Sequence, residues 1–456
     1  MTILRWLPRF RHVERRLREL EARESWSRTQ VRDYQLERIN AVWDHASRFV
    51  PFYRSLSTSL PARFDSLEEY SATMPFLTKG TVRAESYSLL SERARPGRWY
   101  RSGGSTGEPT AIYWDDESHR AFLRGKYRCE QAHGINVFDK KTFLWGHAGS
   151  FTPGLKGTCQ RLVRPVGDSL RNRQRISAYD LSADRLCEGL NRIKSFGPRS
   201  LYGYSSAVEL LARVAAQHNV ELPTLNVAIL TAEPSDIPMR DQISESFQCR
   251  SLVEYGAVEC GLIAYTVPDG TMRCRDDLVF VETVPNCQSG FDIVITVLNN
   301  SSFPLLRYRM EDTTARAKRC PEHGFTILDE IRGRSNDVLI GRDGRKLHPM
   351  ALKHLVEPYP EVRRLTAHQD CAGGLRVQFE TAEVLESSVI ELMRSRLTEM
   401  MQGYPVDIET TGRIRGNRAG KHRWITSDFL VRELGRESIV QSDPPRSTDR
   451  REVNSG

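Results

Sequence analysis

The sequence predicts an α/β protein, with a large multi-layer N-terminal domain of mostly parallel sheets and a small α+β C-terminal domain. Three observations carry this expectation. Between Ala111 and Glu259, apolar β-rich runs alternate with amphipathic helical stretches, the pattern of parallel layering. From Leu278 to Asp312 β signals follow one another more densely. Beyond Gly333 comes a run of about 100 residues mixing short strands and helices, the size of a small domain. The expected division is 1–48, a helical segment of the large domain; 49–333, the large domain; 334–435, the small domain; and 436–456, a disordered tail rich in Ser, Arg and Asp.

Residues 9–48 place Val13, Leu17 and Leu20, then Ile39, Val42 and Trp43, at helical spacing, so one or two amphipathic helices are expected. Acidic residues interleave with the basic ones, which favours a solvated face over a membrane-surface helix. Short Pro-punctuated segments follow at 50–54 and 74–79. A helix is expected from Ser118 to His133, a buried strand over Thr142–His147, and a strand ending near Gly203. That strand runs into a helix with Ala207, Leu210, Leu211 and Val214 on one face. Leu225–Thr231 is another apolar strand. In the small domain, strands are expected at 338–340, 362–367, 375–379 and 406–410, with helices after Pro349 and from Val384 to Met401. No internal repeat is visible.

The chain has 456 residues and a net charge of +8, from 66 Lys and Arg against 58 Asp and Glu. A modest, dispersed excess of this kind suits anionic ligands and argues against a nucleic-acid arm. Nine cysteines without a CxxC pair fit reduced thiols in a cytoplasmic setting. Cys320 and His323 supply only two potential zinc ligands, and no structural zinc is expected. No apolar stretch approaches the ~20 residues of a membrane span.

The stretch Arg101–Thr110 packs three glycines, two serines and two threonines into ten residues. Glycines let a backbone approach a ligand closely, and successive N–H groups with hydroxyls suit phosphate oxygens. By itself the stretch reads equally well as a polar turn between two strands. It is not a Walker loop, since it lacks the Gly-Lys-Ser/Thr ending.

Four further segments stand in order behind it: Tyr255-Gly-Ala-Val-Glu259, Tyr308-Arg-Met-Glu-Asp312, Gly333-Arg-Ser-Asn-Asp337 followed by Gly344 and Pro349, and Gly420-Lys421. With the Gly/Ser/Thr loop these resemble the motifs of the adenylate-forming superfamily (acyl-CoA synthetases, luciferases and adenylation domains). Val50-Pro-Phe-Tyr-Arg54, Pro75-Phe-Leu-Thr-Lys79 and Ala232-Glu-Pro234 resemble signatures of its phenylacetate–coenzyme A ligase-like branch. The resemblance covers roughly residues 35–430.

The resemblance implies ATP-dependent activation of a small-molecule carboxylic acid as an acyl-adenylate, then transfer to coenzyme A, with Mg²⁺ as the metal. Ser102, Gly103, Gly104, Ser105, Thr106 and Gly107 would cradle phosphates, and Glu259 and Thr106 would hold the Mg²⁺. Asp312 would accept the ribose hydroxyls, Arg334 would reach ribose or phosphate, and Tyr255 would lie against adenine or the α-phosphate. Lys421, with Glu259 the expected catalytic residue, would bridge carboxylate and α-phosphate as charge builds. The small domain would rotate about a hinge at Asn336 or Asp337, with Gly344 then facing the pantetheine tunnel. His147, Tyr204 and Ala232 would border the acid pocket, with Tyr202 and Thr231 nearby, suiting an aromatic or medium-sized acid; His147 reads equally as a packed structural histidine. Homodimers are common among such relatives.

Two alternatives share the nucleotide motifs: a ligase that passes the acyl group to an amine or hydroxyl, and a catalytically silent nucleotide-binding scaffold. The second is motivated by departures from the pattern. Gly103 stands where the loop commonly has serine, Glu108 where it has lysine, and Glu311 where a glycine often precedes Asp312.

Overall fold

The computed structural model describes residues 8–101, 110–146, 167–179, 181, 183–233, 235–286, 290–329, 331–332, 339–347, 350–356, 358–359, 361–381, 385–412 and 425–429. Helices α1 (Pro8–Arg23), α2 (Arg28–Phe49), α3 (Pro51–Leu56), α4 (Leu67–Thr73) and α5 (Lys79–Ala84) come first. A capping box starts α2: Ser27 accepts from the Gln30 N–H while the Gln30 side chain reaches back to the Ser27 N–H. Its buried face carries Val31, Ile39, Val42, Trp43 and Ala46, which matches the helical spacing seen in the sequence.

Strands β1 (Gly97–Arg101) and β2 (Ala111–Asp115) pair antiparallel, with Arg101 opposite Ala111. The Gly/Ser/Thr loop is therefore the connection of a β-hairpin. Asp115 then caps α6 (Asp116–Ala132), accepting the Ser118 N–H at 2.7 Å. Next come β3 (Lys141–Trp145), β4 (Arg173–Ser177), α7 (Ala183–Phe196), β5 (Ser200–Tyr204), α8 (Ser205–Gln217), β6 (Val227–Thr231), α9 (Ile237–Phe247), β7 (Arg250–Ala257), β8 (Gly261–Thr266) and β9 (Met272–Cys274). Strands β10 (Val279–Pro285), β11 (Phe291–Val297), β12 (Tyr308–Thr314), β13 (Ile327–Leu328) and β14 (Ile331–Arg332) follow.

An eight-stranded sheet in the order β13-β9-β8-β7-β6-β5-β3-β4 forms the centre. Its run β7-β6-β5-β3-β4 is wholly parallel, as the alternation of strands and helices predicts. The antiparallel extension through β8, β9 and β13 carries no such alternation in sequence. Helices α7, α8 and α9 pack one face through Leu190, Ile193, Ala207, Leu211 and Phe247, against Leu144, Leu201 and Leu230. On the other face α6 sets Cys129 among Val227, Ile229, Leu252 and Leu262. A second, antiparallel sheet, β10-β11-β12-β14, shares a further core with α2 through Ile39, Trp43, Val281, Ile293 and Phe303.

The C-terminal elements are β15 (Leu339–Ile340), β16 (Lys346–Leu347), α10 (Met350–Val356), β17 (Val362–Gln369), β18 (Leu375–Thr381), α11 (Ser387–Met400), β19 (Val406–Thr411) and β20 (Ile425–Ser427). They build a sheet β19-β18-β17-β20 and a hydrophobic core of their own, with Leu352, Leu365, Phe379, Met393 and Leu397. Here β20 was not foreseen, because three residues are too few to show an alternation. Helix α11 begins three residues after the expected Val384. The tail from Arg436 lies outside the described residues.

Candidate active site

Open α/β sheets bind ligands beyond the carboxyl ends of their parallel strands. Here that edge carries Trp145 on β3, Tyr204 on β5, Thr231 on β6 and the far end of β7. The Tyr-Gly-x-x-Glu motif is the end of β7 and its hairpin into β8. Ala257 pairs with Gly261, so Val258, Glu259 and Cys260 make a three-residue loop. Gly261 closes it with φ +73°, the left-handed geometry such loops need. Glu259 is thus held on a tight turn, 5% exposed, and the Trp114 indole fastens the loop by donating to the Val258 carbonyl at 2.9 Å. The motif glycine has a steric reason: a Cβ on Gly256 would lie 2.4 Å from the Gly261 carbonyl oxygen.

The Tyr-Arg-x-x-Asp motif is β12. Its ladder with β11 pairs Thr313 with Asp292 and Arg309 with Val294, so residues 310–312 bulge against one residue, Ile293. Bulges re-aim side chains, and here the bulge delivers Asp312 to Tyr255, whose hydroxyl donates to Oδ2 at 3.1 Å. Burial, and then the Asp312 carboxylate, hold the Tyr255 phenol protonated well above its ordinary value. It therefore acts as a fixed donor. Cys260, 3.9 Å from the Met310 sulfur, is pushed up likewise by burial and by Glu259 and Asp312. A thiol kept protonated is no nucleophile.

A residue quoted only as a branch signature completes the group. Leu77 pairs with β12 through Leu77 N–H to the Arg307 carbonyl at 3.0 Å and Arg309 N–H to the Leu77 carbonyl at 2.9 Å. Thr78 then caps α5, accepting the Thr81 N–H at 3.1 Å, and this sets Lys79 at the first helical position. The Lys79 ammonium stands 3.8 Å from Glu259 Oε1. One turn on, Arg83 donates to Thr110 Oγ1 at 3.2 Å, where the Gly/Ser/Thr loop rejoins β2. Nothing in the spacing pairs Lys79 with Glu259, which lie far apart in sequence.

Of the expected site residues, the structure brings together Tyr255, Glu259 and Asp312. Gly344 belongs to the C-terminal elements and turns the β15–β16 hairpin at φ +78°. Tyr204 is buried and stacks on Trp145 at 4.1 Å, and Ala232, at φ +65°, is exposed just past β6. The adjoining Glu233 caps α8, accepting the Ser206 N–H at 2.9 Å and its hydroxyl at 2.7 Å. Ser102, Gly103, Gly104, Ser105, Thr106, Gly107, His147, Arg334 and Lys421 lie outside the described residues, as do Glu108 and the hinge positions Asn336 and Asp337.

No family model matches the chain. Among known proteins it is similar to protein CapK of Staphylococcus aureus, 24% identical over 277 residues, covering 59% of this chain and 60% of CapK. It thus spans less than two thirds of that relative's length. It is also similar to phenylacetate–coenzyme A ligase of Pseudomonas putida, 26% identical over 364 residues, or 74% of this chain and 78% of the relative. Among solved structures, 2-hydroxyisobutyryl-CoA ligase, with 2-HIB-AMP and CoA in the thioesterification state, aligns over 92% of this chain and 94% of its own. The TM-score is 0.59 at 19% identity. The likeness is one of fold: the chain shares the architecture of this solved ligase. The likeness to phenylacetate–coenzyme A ligases extends to further relatives at 25–27% identity.

Proposed function

We propose that this protein is an AMP-forming acid–thiol ligase: it activates a carboxylic acid with ATP as an acyl-adenylate and passes the acyl group to coenzyme A. The observation that carries the reading is the convergence of Tyr255–Asp312 and Lys79–Glu259 at the carboxyl edge of the parallel sheet. In the first step a carboxylate oxygen attacks the ATP α-phosphorus. The bond from that phosphorus to the β-phosphate bridging oxygen breaks, and pyrophosphate leaves with the electron pair. The carboxylate is already a nucleophile, so positioning and charge neutralisation do the work, and no general base is required.

In this scheme Asp312, oriented by the Tyr255 hydroxyl, receives the ribose hydroxyls, a carboxylate being an acceptor through both oxygens. Lys79 and Arg83 stand as cations along one face of α5, between Glu259 and the root of the phosphate loop. A carboxylate is a hard oxygen ligand, and Glu259 with Thr106 would hold Mg²⁺, which would neutralise phosphate charge when bound. Ser102–Gly107 would cradle the phosphates, and Arg334 would reach the ribose. Lys421 would be carried in by the C-terminal elements, whose separate core suits a mobile domain turning at Asn336 or Asp337. In the second step coenzyme A, its thiol proton lost to solvent, attacks the acyl carbonyl carbon through sulfur, the bond from that carbon to the phosphate oxygen breaks, and AMP leaves with the electron pair; Gly344 would then face the pantetheine arm.

Carboxylate-dependent ATP–pyrophosphate exchange, followed by thioester formation on adding coenzyme A, tests the proposal. Exchange without thioester, and product only with an amine or hydroxyl acceptor, would move the assignment to the alternative ligase class. ATP binding without exchange across a broad acid panel would leave a silent scaffold. Cys129, Cys187, Cys249, Cys260, Cys274 and Cys320 are free thiols, in keeping with a reducing cytoplasmic setting, where ATP and coenzyme A are supplied. Among the described residues no helix is long and apolar enough to cross a membrane. Light scattering would check the homodimer.

A further inference from the structure

The residue before Tyr255 points the other way. Successive side chains on a strand alternate between faces, so while Tyr255 meets Asp312, Glu254 lies on the α6 face of the sheet. Tyr204, Thr231 and Glu254 stand side by side in register across β5, β6 and β7, at the carboxyl edge. Three elements meet at Glu254. Its Oε1 accepts the Tyr202 hydroxyl at 2.6 Å, and its Oε2 lies 3.0 Å from the Lys126 ammonium of α6. That ammonium also sits 3.5 Å from the centre of the Tyr202 ring. Oε2 is buried and, despite the ion pair, receives no hydrogen bond among the described residues.

A purely structural pair is a poor account of this trio. Below it the α6 interface is apolar, through Phe122, Cys129, Ile229, Leu252 and Leu262. An aliphatic side chain at 126 and another at 254 would continue that packing, and buried ion pairs replaced by well-packed apolar residues are often neutral or stabilising. The polar groups sit instead toward the carboxyl ends of the parallel strands, beside aromatic side chains. Trp145 stacks on Tyr204 at 4.1 Å and 20°, and lies 5.6 Å from Tyr202. Tyr202 and Trp145 are only half-buried.

We propose that Tyr202, Lys126 and Glu254 form the polar end of the acid pocket, and that the substrate is a ring-bearing carboxylic acid with a neutral hydroxyl remote from its carboxylate. This deepens the ligase reading and rests on it. The charge state follows from the pair itself: Lys126 already compensates Glu254 one for one. A second buried carboxylate or ammonium on the substrate would be left uncompensated. The hydrogen-bond sense follows from Tyr202, which spends its proton on Glu254, so that toward a substrate O–H its oxygen, which also meets Lys126, can only accept. Lys126, with three N–H groups, has donors for that hydroxyl's oxygen. Trp145 would lie against the ring.

The test compares phenylacetate with 4-hydroxyphenylacetate, 4-carboxyphenylacetate and 4-(aminomethyl)phenylacetate, in pyrophosphate exchange and by the shift each causes in Tm. The wild type is expected to favour the hydroxylated acid by about tenfold or more in kcat/KM, because a site built to hydrogen-bond a hydroxyl is left unpaired by the analogue lacking it. Tyr202→Phe, and separately the double variant Lys126→Met/Glu254→Leu, should bring that ratio close to one, with folding checked by circular dichroism and Tm. Equal or better use of phenylacetate by the wild type, or a ratio unchanged in both variants, overturns the pocket assignment and leaves the ligase reading standing. A selective Tm shift with the hydroxylated acid but no exchange supports the pocket and overturns the ligase reading.

Discussion

Lys79 and Glu259 form a pair whose removal is informative one side at a time. Their side chains are 13% and 6% exposed and 3.8 Å apart. Lys79→Met strands a buried carboxylate, so Tm should fall along with pyrophosphate exchange. Glu259→Gln should lower exchange by about 10²-fold or more, the loss typical of removing one preorganised electrostatic group. The double variant Lys79→Met/Glu259→Gln should recover most of the lost Tm and none of the exchange. Recovery of exchange in that variant would make the pair a structural one. Cys260, beside both Glu259 and Asp312 yet held protonated, should be removable as Cys260→Ala at the cost of packing alone.

Two elements carry the site's geometry, and each offers a test. The β7–β8 hairpin holds Glu259 only because its strands come close at Gly256, where a Cβ would meet the Gly261 carbonyl at 2.4 Å. Gly256→Ala should therefore displace the loop, lowering exchange and costing about 1–3 kcal/mol of stability in denaturant unfolding, the usual cost of overpacking. Helix α6 ends on His133, whose Nε2–H donates to the Thr266 carbonyl at 2.7 Å and whose Nδ1 is buried with no hydrogen-bond partner among the described residues. Burial above all lowers its pKa below the ordinary 6.5; Arg250 adds to this and the Thr266 carbonyl opposes it. The folded ring stays neutral where the unfolded chain already takes up a proton. The stability it contributes is therefore complete above about pH 6.5 and is lost as pH falls toward the folded pKa. His45 and His119 are shifted down as well, again chiefly by burial. Tm should drop between about pH 7.5 and 5.5, and His133→Gln, which keeps a donor but cannot charge, should make that drop smaller. An unchanged slope in His133→Gln would remove His133 from the explanation.

At the scale of the whole molecule the question is how the C-terminal elements, with their own core of Leu365, Phe379 and Met393, serve a site built at the edge of another sheet. The ligase proposal has them deliver Lys421 for adenylation and withdraw it for thioester formation, a two-state domain movement. Lys421→Ala should then abolish pyrophosphate exchange, yet leave thioester formation from supplied acyl-adenylate largely intact. Equal loss of both half-reactions would contradict the two-conformation scheme. Rapid-quench assays of each half-reaction distinguish these outcomes.

Much of this was legible in the sequence, because the signals are local. The alternation from Ala111 to Glu259 marks the parallel sheet, since a strand and its covering helix each show their own period within about ten to fifteen residues. Tyr255, Glu259 and Asp312 were found because two short motifs hold them at fixed spacing. The sequence by itself determined the α/β class, the parallel alternation and the resemblance that singled out these three residues. Only the tertiary structure decided how they meet: a bulge in β12 turns Asp312 to Tyr255, and the edge pairing of Leu77 with β12 brings Lys79 to Glu259. It alone set Lys126, Tyr202 and Glu254 together from a helix and two strands. Such groupings depend on register and on packing between distant segments, and neither leaves a periodic trace in the chain.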